Sequence, residues 1–178
     1  MLRRTMLAGL ASLTMVGACS SSGGSRVPAG PGHRDLADTL AKDRELSRFN
    51  QWIVAAEYAD LLRRDGPFTL FAPNDSAIAG IRPALQNRLL ASRSRDLLRA
   101  VLDHHIVRDY VRLDVVQPGV MQGQRSIETL DGAEVPIRQG PHPRFGTANV
   151  VRPNIEAVNG LIHAIDQVLL PQNYAIGL

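Results

Sequence analysis

The chain has 178 residues, with 20 lysines and arginines against 17 aspartates and glutamates, five histidines and one cysteine. That length suits one domain with a real core, a single cysteine excludes an internal disulfide framework, and no block of like charge marks a nucleic-acid arm. Arg3 and Arg4 precede the first apolar run, so the remainder is close to neutral and the formal charge of +3 is no argument for nucleic acid as a partner.

Met1–Thr5 is basic and Met6–Ala18 is apolar, the layout of a secretory signal peptide. The run is too short for a bilayer core of roughly 30 Å, so residues 1–18 are expected to be removed. The run ends Val16-Gly17-Ala18-Cys19, which resembles the bacterial lipobox, with Cys19 as the site of lipidation. Acylation accounts for a lone cysteine in an exported chain, and two or three acyl chains hold where one gives only marginal membrane binding. Ser20–Gly32 reads SSSGGSRVPAGPG, too polar and too rich in Gly and Pro to fold. Residues 19–33 are therefore read as the lipidated cysteine and a flexible tether that places the domain on the order of 20 Å from the membrane. Ser20 rather than Asp after the cysteine resembles outer-membrane sorting. The expectation is a protein exported and anchored to the cell envelope, at the outer membrane, through acylated Cys19.

Residues 34–171 carry the folding pattern, and 172–178 form a C-terminal tail. Asp35 caps a turn bearing Leu36 and Leu40. Leu46, Phe49, Trp52, Ile53, Ala56, Ala59 and Leu62 recur at helical spacing, predicting one long helix from Glu45. Asp65-Gly66-Pro67 closes it, with Gly66 at a left-handed cap. Phe68–Ala72 is a short β-rich run, stopped at Pro73. Asn74 or Asp75 caps a short helix through Ala77, Ile78 and Ile81, and a further amphipathic helix starts near Ser94. The period then changes. Tyr110–Val116, Arg125–Leu130, Ala133–Arg138, Thr147–Val151, Ile155–Val158 and Leu161–Leu170 read as strands. Asp131-Gly132 and Asn159-Gly160 are read as type I′ hairpin turns. Helices followed by a strand meander predict an α+β domain.

Four landmarks now fall in order: Thr69-Leu70-Phe71-Ala72-Pro73-Asn74-Asp75, then Leu102-Asp103-His104-His105-Ile106-Val107, then Leu130-Asp131-Gly132, and last Val158-Asn159-Gly160-Leu161-Ile162-His163-Ala164-Ile165-Asp166-Gln167-Val168-Leu169-Leu170-Pro171. The chain resembles the fasciclin-like domains, whose first motif has the form TxFAPTNxAF and whose last has the form NGxIHxIDxVLxP. The resemblance implies a helical N-terminal half packed on an antiparallel-rich β-wedge. Phe71, Pro73, Asn74, Asp75, Asn159, Gly160, His163 and Asp166 are then structural motif residues. For function it implies adhesion or binding at cell surfaces rather than catalysis. In the central block His104 stands where animal members often carry Tyr, so only His105 matches that pair.

No catalytic set is assembled by spacing. There is no Gly-x-Ser-x-Gly elbow, no His-Glu-x-x-His and no cysteine ligand in the domain, so no metal and no cofactor is expected. His104 and His105 are adjacent and point apart, so His105 is expected to pack against the sheet and His104 to be partly solvated. The loop Gln139–Gly146 is stiffened by two prolines and offers His142, Arg144 and Phe145, side chains suited to recognition. His105, His142, Arg144 and Phe145 are the candidate binding residues, although a plain exposed hairpin connection is the preferred reading of that loop. The expected partner, besides the membrane, is an envelope or extracellular protein or polysaccharide. The alternative is a periplasmic or surface receptor for a small molecule or polysaccharide, with a pocket between helices and sheet. A hydrolase or metal protein is the least favoured.

Overall fold

The computed structural model describes residues 34–113, 124–138 and 141–171. Cys19, the tether, the end of the expected Tyr110–Val116 strand, Gln139, Gly140 and the 172–178 tail lie outside the described residues. Among the described residues, six α-helices and seven strands follow in order: α1 Leu36–Lys42, α2 Ser47–Ala55, α3 Ala59–Leu62, β1 Phe68–Pro73, α4 Asp75–Ala79, α5 Pro83–Leu90, α6 Arg95–Asp103, β2 Ile106–Val107, β3 Gln124–Glu128, β4 Glu134–Arg138, β5 Arg144–Phe145, β6 Ala148–Ala157 and β7 Gly160–Ile165. Helices lead and strands follow, as the change of period predicts. α5 escapes the sequence reading, because among its eight residues only Leu89 is fully buried.

The strands form one sheet in the order β2-β1-β7-β6-β5-β4-β3. β1 and β7 run parallel, Phe68 opposite Gly160 through Pro73 opposite Ile165, and every other pair is antiparallel. Every residue of β1 and of β7 is buried, as expected of strands covered on both faces. Alternation then divides the interior in two. Phe68, Leu70, Ala72, Ile162 and Ala164 join the helices in one core, with Leu36, Leu40, Leu46, Phe49, Trp52 and Leu102. Phe71 and Ile165 face the other way, into a second core with Val111, Leu113, Ile137, Phe145 and Val150. The sheet curls until its far edge returns to its near one. The Leu130 N–H, just past β3, donates to the carbonyls of Ile106 and Asp103 at 2.7 and 3.1 Å.

Several local expectations are corrected by tertiary contacts. The single long helix is broken between α2 and α3 at Glu57, a left-handed residue with φ 60°. Tyr58 N–H reaches back to Ile53 O and Glu57 N–H to Val54 O, a Schellman-type closure made without glycine. Gly66 is not left-handed and caps no helix. It is needed because a Cβ there would lie 2.0 Å from the Asn159 carbonyl oxygen. At the Asp131-Gly132 turn only Gly132 has positive φ, +80°, so the loop is not type I′. Nor is Asn159-Gly160 a type I′ pair. Ala157 pairs with Gly160, which leaves Val158-Asn159 as the loop and Gly160 as the first residue of β7. The strands expected at Thr147–Val151 and Ile155–Val158 are one strand, β6, with register shifts around Arg152–Ile155 and a left-handed Asn154 at φ 57°. β7 ends at Ile165, short of the expected Leu170.

Gly160 marks the tightest point of the sheet. A Cβ there would sit 1.9 Å from Phe68 O, an atom of the neighbouring backbone that cannot step aside alone. Gly160→Ala is expected to cost about 3 kcal/mol or more, whereas Gly132→Ala, with nothing within 4 Å but a left-handed backbone, costs about 1–2 kcal/mol. Urea denaturation of both variants checks the order; equal losses would remove the close approach as the reason for the glycine.

Candidate functional site

Motif residues from the two ends of the domain meet around the β1–β7 seam, and each has a structural task. Asn74 caps α4, its side chain accepting from Ala77 N–H at 2.8 Å. Asp75 reaches across to the start of α2, accepting from Ser47 Oγ at 2.6 Å and Arg48 N–H at 2.8 Å, an anion placed at a helix N-terminus. Asp166 clasps Asn149, taking its N–H at 2.8 Å and its side-chain amide at 2.7 Å. Asn159 ties three segments together. Its Oδ1 accepts from Leu36 N–H at 2.9 Å, and its amide donates to Leu62 O and Arg64 O, both at 2.8 Å.

The segment expected to be a strand from Tyr110 shows the alternation of one, with Val111 and Leu113 buried and Tyr110 and Arg112 exposed, yet the described part carries no ladder. Side chains take the place of a neighbouring strand. Thr69 Oγ1 donates to Asp109 O at 2.6 Å and accepts from Val111 N–H at 2.9 Å. His163 Nε2 meets Val111 O at 2.8 Å. Asn154 accepts from Leu113 N–H at 2.9 Å and donates to Leu113 O at 2.6 Å. Thr69, Asn154 and His163 thus satisfy the buried backbone groups that a ladder would otherwise serve.

The two motif histidines are internal. His105 is fully buried, with Nδ1 on Val101 O at 2.6 Å and Nε2 accepting from Leu169 N–H at 3.1 Å. His163 is equally buried; Nε2 faces Val111 O, and Nδ1 accepts from Asn154 N–H at 3.0 Å. The two rings therefore hold opposite tautomers, Nδ1–H in His105 and Nε2–H in His163, and neither has a nitrogen left for a ligand. Burial holds both down to about 4, against the upward pull of the carbonyl each bonds.

The remaining candidates separate. His104 is half withdrawn and bonds Asp131 Oδ2 at 2.9 Å through Nδ1. Burial would raise the Asp131 carboxyl, but hydrogen bonds from Thr129, His104 and the Ala133 N–H hold it below the usual range. Asp103 is raised by burial and by the nearby Asp131 charge, although Tyr58 donates to it at 2.7 Å. Tyr58 is raised in turn, by burial first and then by Asp103. Tyr58 and its neighbour Glu57, which binds Arg95 at 2.9 Å and Arg99 at 3.7 Å, give no signal in the sequence because their partners come from α6.

In the proline-stiffened loop, His142 and Arg144 are exposed, and Arg144 donates to Thr147 O at 3.2 Å. Phe145 is not available for recognition. As the inward residue of β5 it is fully buried and stacks on Phe71, centroids 3.7 Å apart and planes within 5°. Among the described residues no three His, Cys, Asp or Glu side chains converge on a metal position, and no helix is long and apolar enough to cross a membrane. Among the described residues the surface includes two open grooves. One of about 480 Å³ lies where the sheet edges meet, between Val107–Asp109 and Ile127–Leu130. The other, of about 620 Å³, runs between Arg44, Glu45, Asp75 and Arg152. Arg152 there is paired with Asp43 and, at 3.2 Å, with Glu45.

Comparison with known proteins places this architecture. The model of the family described as the Fasciclin domain matches residues 44–171. Two proteins of Synechocystis are similar over 137 residues: sll1483, 28% identical with 76% of this chain and 73% of that protein covered, and sll1735, 32% identical with 76% and 97% covered. Human periostin is 28% identical over 142 residues, 78% of this chain but only 16% of periostin. Among solved structures, the FAS1 domain pair of the insect cell adhesion molecule fasciclin I matches with a TM-score of 0.67 at 20% identity, covering 79% of this chain and 52% of that one.

Two measurements test the geometry. In the unfolded chain the two histidines take up protons near their ordinary 6.5, but in the folded chain only near 4. Stability is therefore fully present above pH 6.5 and falls as the pH drops from 6.5 towards 4, by about 1.4 kcal/mol per pH unit for each histidine. A urea midpoint that stays flat across that interval would show the rings to be solvated. Asn159→Asp keeps the acceptor for Leu36 N–H but turns an oxygen on two carbonyls, and is expected to lose about 2–3 kcal/mol in the same assay.

Proposed function

The chain belongs to the fasciclin domain family, and on that premise we propose that it is a non-enzymatic adhesive module of the cell envelope, exported, held to the outer membrane by acylated Cys19, and binding an envelope or extracellular protein or polysaccharide through its surface. The observation that carries this reading is the filled interior. The space between helices and sheet, where a small-molecule pocket would lie, is occupied by the side chains of Leu36, Phe49, Trp52, Leu70, Leu102 and Ile162, none more than 2% exposed. The buried polar residues Thr69, His105 and His163 spend their hydrogen bonds on the protein's own backbone. Recognition is left to exposed groups on a firm body, which loses little conformational entropy on binding. Membership of the fasciclin domain family supports the adhesive reading, and the signal-like N-terminus supports the anchor.

Labelled palmitate is expected on the wild type and not on Cys19→Ser. Persistent labelling in the variant would remove the anchor and leave the domain assignment standing. In pull-downs from intact cells with the acylated protein, the double variant His142→Ser/Arg144→Ser, which spares the buried Phe145, tests the exposed loop. An unchanged set of captured partners would exclude it from the adhesive surface.

A further inference from the structure

The turn joining α5 to α6 has a character found in none of the motifs. Arg88-Leu89-Leu90-Ala91-Ser92-Arg93-Ser94-Arg95 runs out of α5, through the 3-10 turn Ser92–Ser94, and into α6. It carries three arginines and no acid. Leu89 is buried and pins the turn to the helical core, while Leu90 beside it is 47% exposed. Arg88 and Arg93 are exposed, and among the described residues neither has an ion-pair partner. Arg95 keeps a side chain 44% exposed while sharing Glu57 with Arg99, and the next acid along the chain is Asp96 in the first turn of α6.

Helix stability does not account for this placement. Arg88 suits the C-terminal turn of α5, but Arg93 and Arg95 stand at the positive end of α6, where a cation is unfavourable. The combination of exposed cations on either side of an exposed leucine along the chain fits one surface best. A guanidinium pairs with headgroup phosphates, and an apolar side chain between such groups enters the boundary of headgroups and acyl chains. A soluble polyanion would satisfy the arginines and leave Leu90 in water.

We propose that the Arg88–Arg95 turn is a membrane-contact tip that lays the tethered domain against an anionic phospholipid surface, Leu90 entering the interface and Arg88, Arg93 and Arg95 meeting the phosphates. The proposal rests on the lipid-anchor reading above. A few arginines and one leucine give a free domain only roughly millimolar attachment. A short flexible tether supplies an effective concentration of about that order, so the anchored domain would spend much of its time docked and still let go. Docking at this tip would fix which face of the domain looks outward.

Cys19 is the only cysteine in the chain, so Leu90→Cys in the acylated protein offers one thiol for an environment-sensitive dye. The labelled protein is inserted through its anchor into vesicles of phosphatidylcholine alone, or of phosphatidylcholine with phosphatidylglycerol. The dye is expected to brighten and shift to the blue only in the anionic vesicles, and high salt should reverse the change. Adding Arg88→Glu and Arg93→Glu should lower the docked-to-free ratio roughly tenfold or more, with circular dichroism and the urea midpoint confirming an intact fold. An equal dye response in neutral and anionic vesicles, or one undiminished by the charge reversal, would overturn the tip. Labelling of two thiols per chain would instead overturn the anchor. The tip is then decided by adding Leu90→Cys/Cys19→Ser protein to the same vesicles at low salt, where anion-dependent brightening upholds it and its absence rejects it.

Discussion

Phe68 and Gly160 meet at a spacing that excludes even a methyl group, with a Cβ on Gly160 only 1.9 Å from the Phe68 oxygen. That contact starts the parallel pairing of β1 with β7, and the rest of the domain is arranged by it. Two strands from opposite ends of the domain can run parallel only if the chain between them crosses over. The crossover lays helices on one face of the seam and leaves β2 beside β1, while β3 to β6 extend the sheet on the β7 side. Gly66 and Asn159 guard the same corner, the first by having no side chain against the Asn159 carbonyl and the second by binding the chain at Leu36, Leu62 and Arg64. A domain closed on its own first and last strands has its ends pinned together, so a tether preceding Arg34 would enter beside the β6–β7 turn, where Val158 N–H bonds Arg34 O.

The polar interior follows from the same seam. With both central strands covered on both faces, any polar side chain on them must find a partner inside. Thr69 and His163 find theirs in the backbone of Asp109–Leu113, and Asn154 completes the set by taking the left-handed conformation that aims its amide at Leu113. These residues could be mistaken for a site, since they include buried histidine, threonine and asparagine near one another. Their hydrogen bonds are already spent. The motif that marks the family is therefore a record of how the domain closes.

What the sequence alone determined was whatever depends on near neighbours in the chain or on burial read through period. The α+β order, the cap at Asp35, a cap at Asn74 or Asp75, the helix around Leu98, Val101 and Leu102, and the strands β1, β3, β4 and β7 all have local causes: a cap needs an acceptor three residues back, and a buried face repeats at the period of its element. The motifs carried the fold as well, because Gly160 opens β7 while Asn159 and Asp166 stand immediately before and after it. Tertiary structure decided the rest. It broke the long helix at Glu57, since a Schellman closure made with Glu shows no glycine. It turned Phe145 inward, because a two-residue strand is too short to display a period. It served the Asp109–Leu113 backbone with side chains of Thr69, Asn154 and His163, whose sequence distance hides the pairing, and it gave Gly66 and Gly160 a reason that lies in the approach of another strand rather than in their own dihedral angles. Each of these depends on what the chain meets after it has crossed the sheet, and no spacing within a segment encodes that meeting.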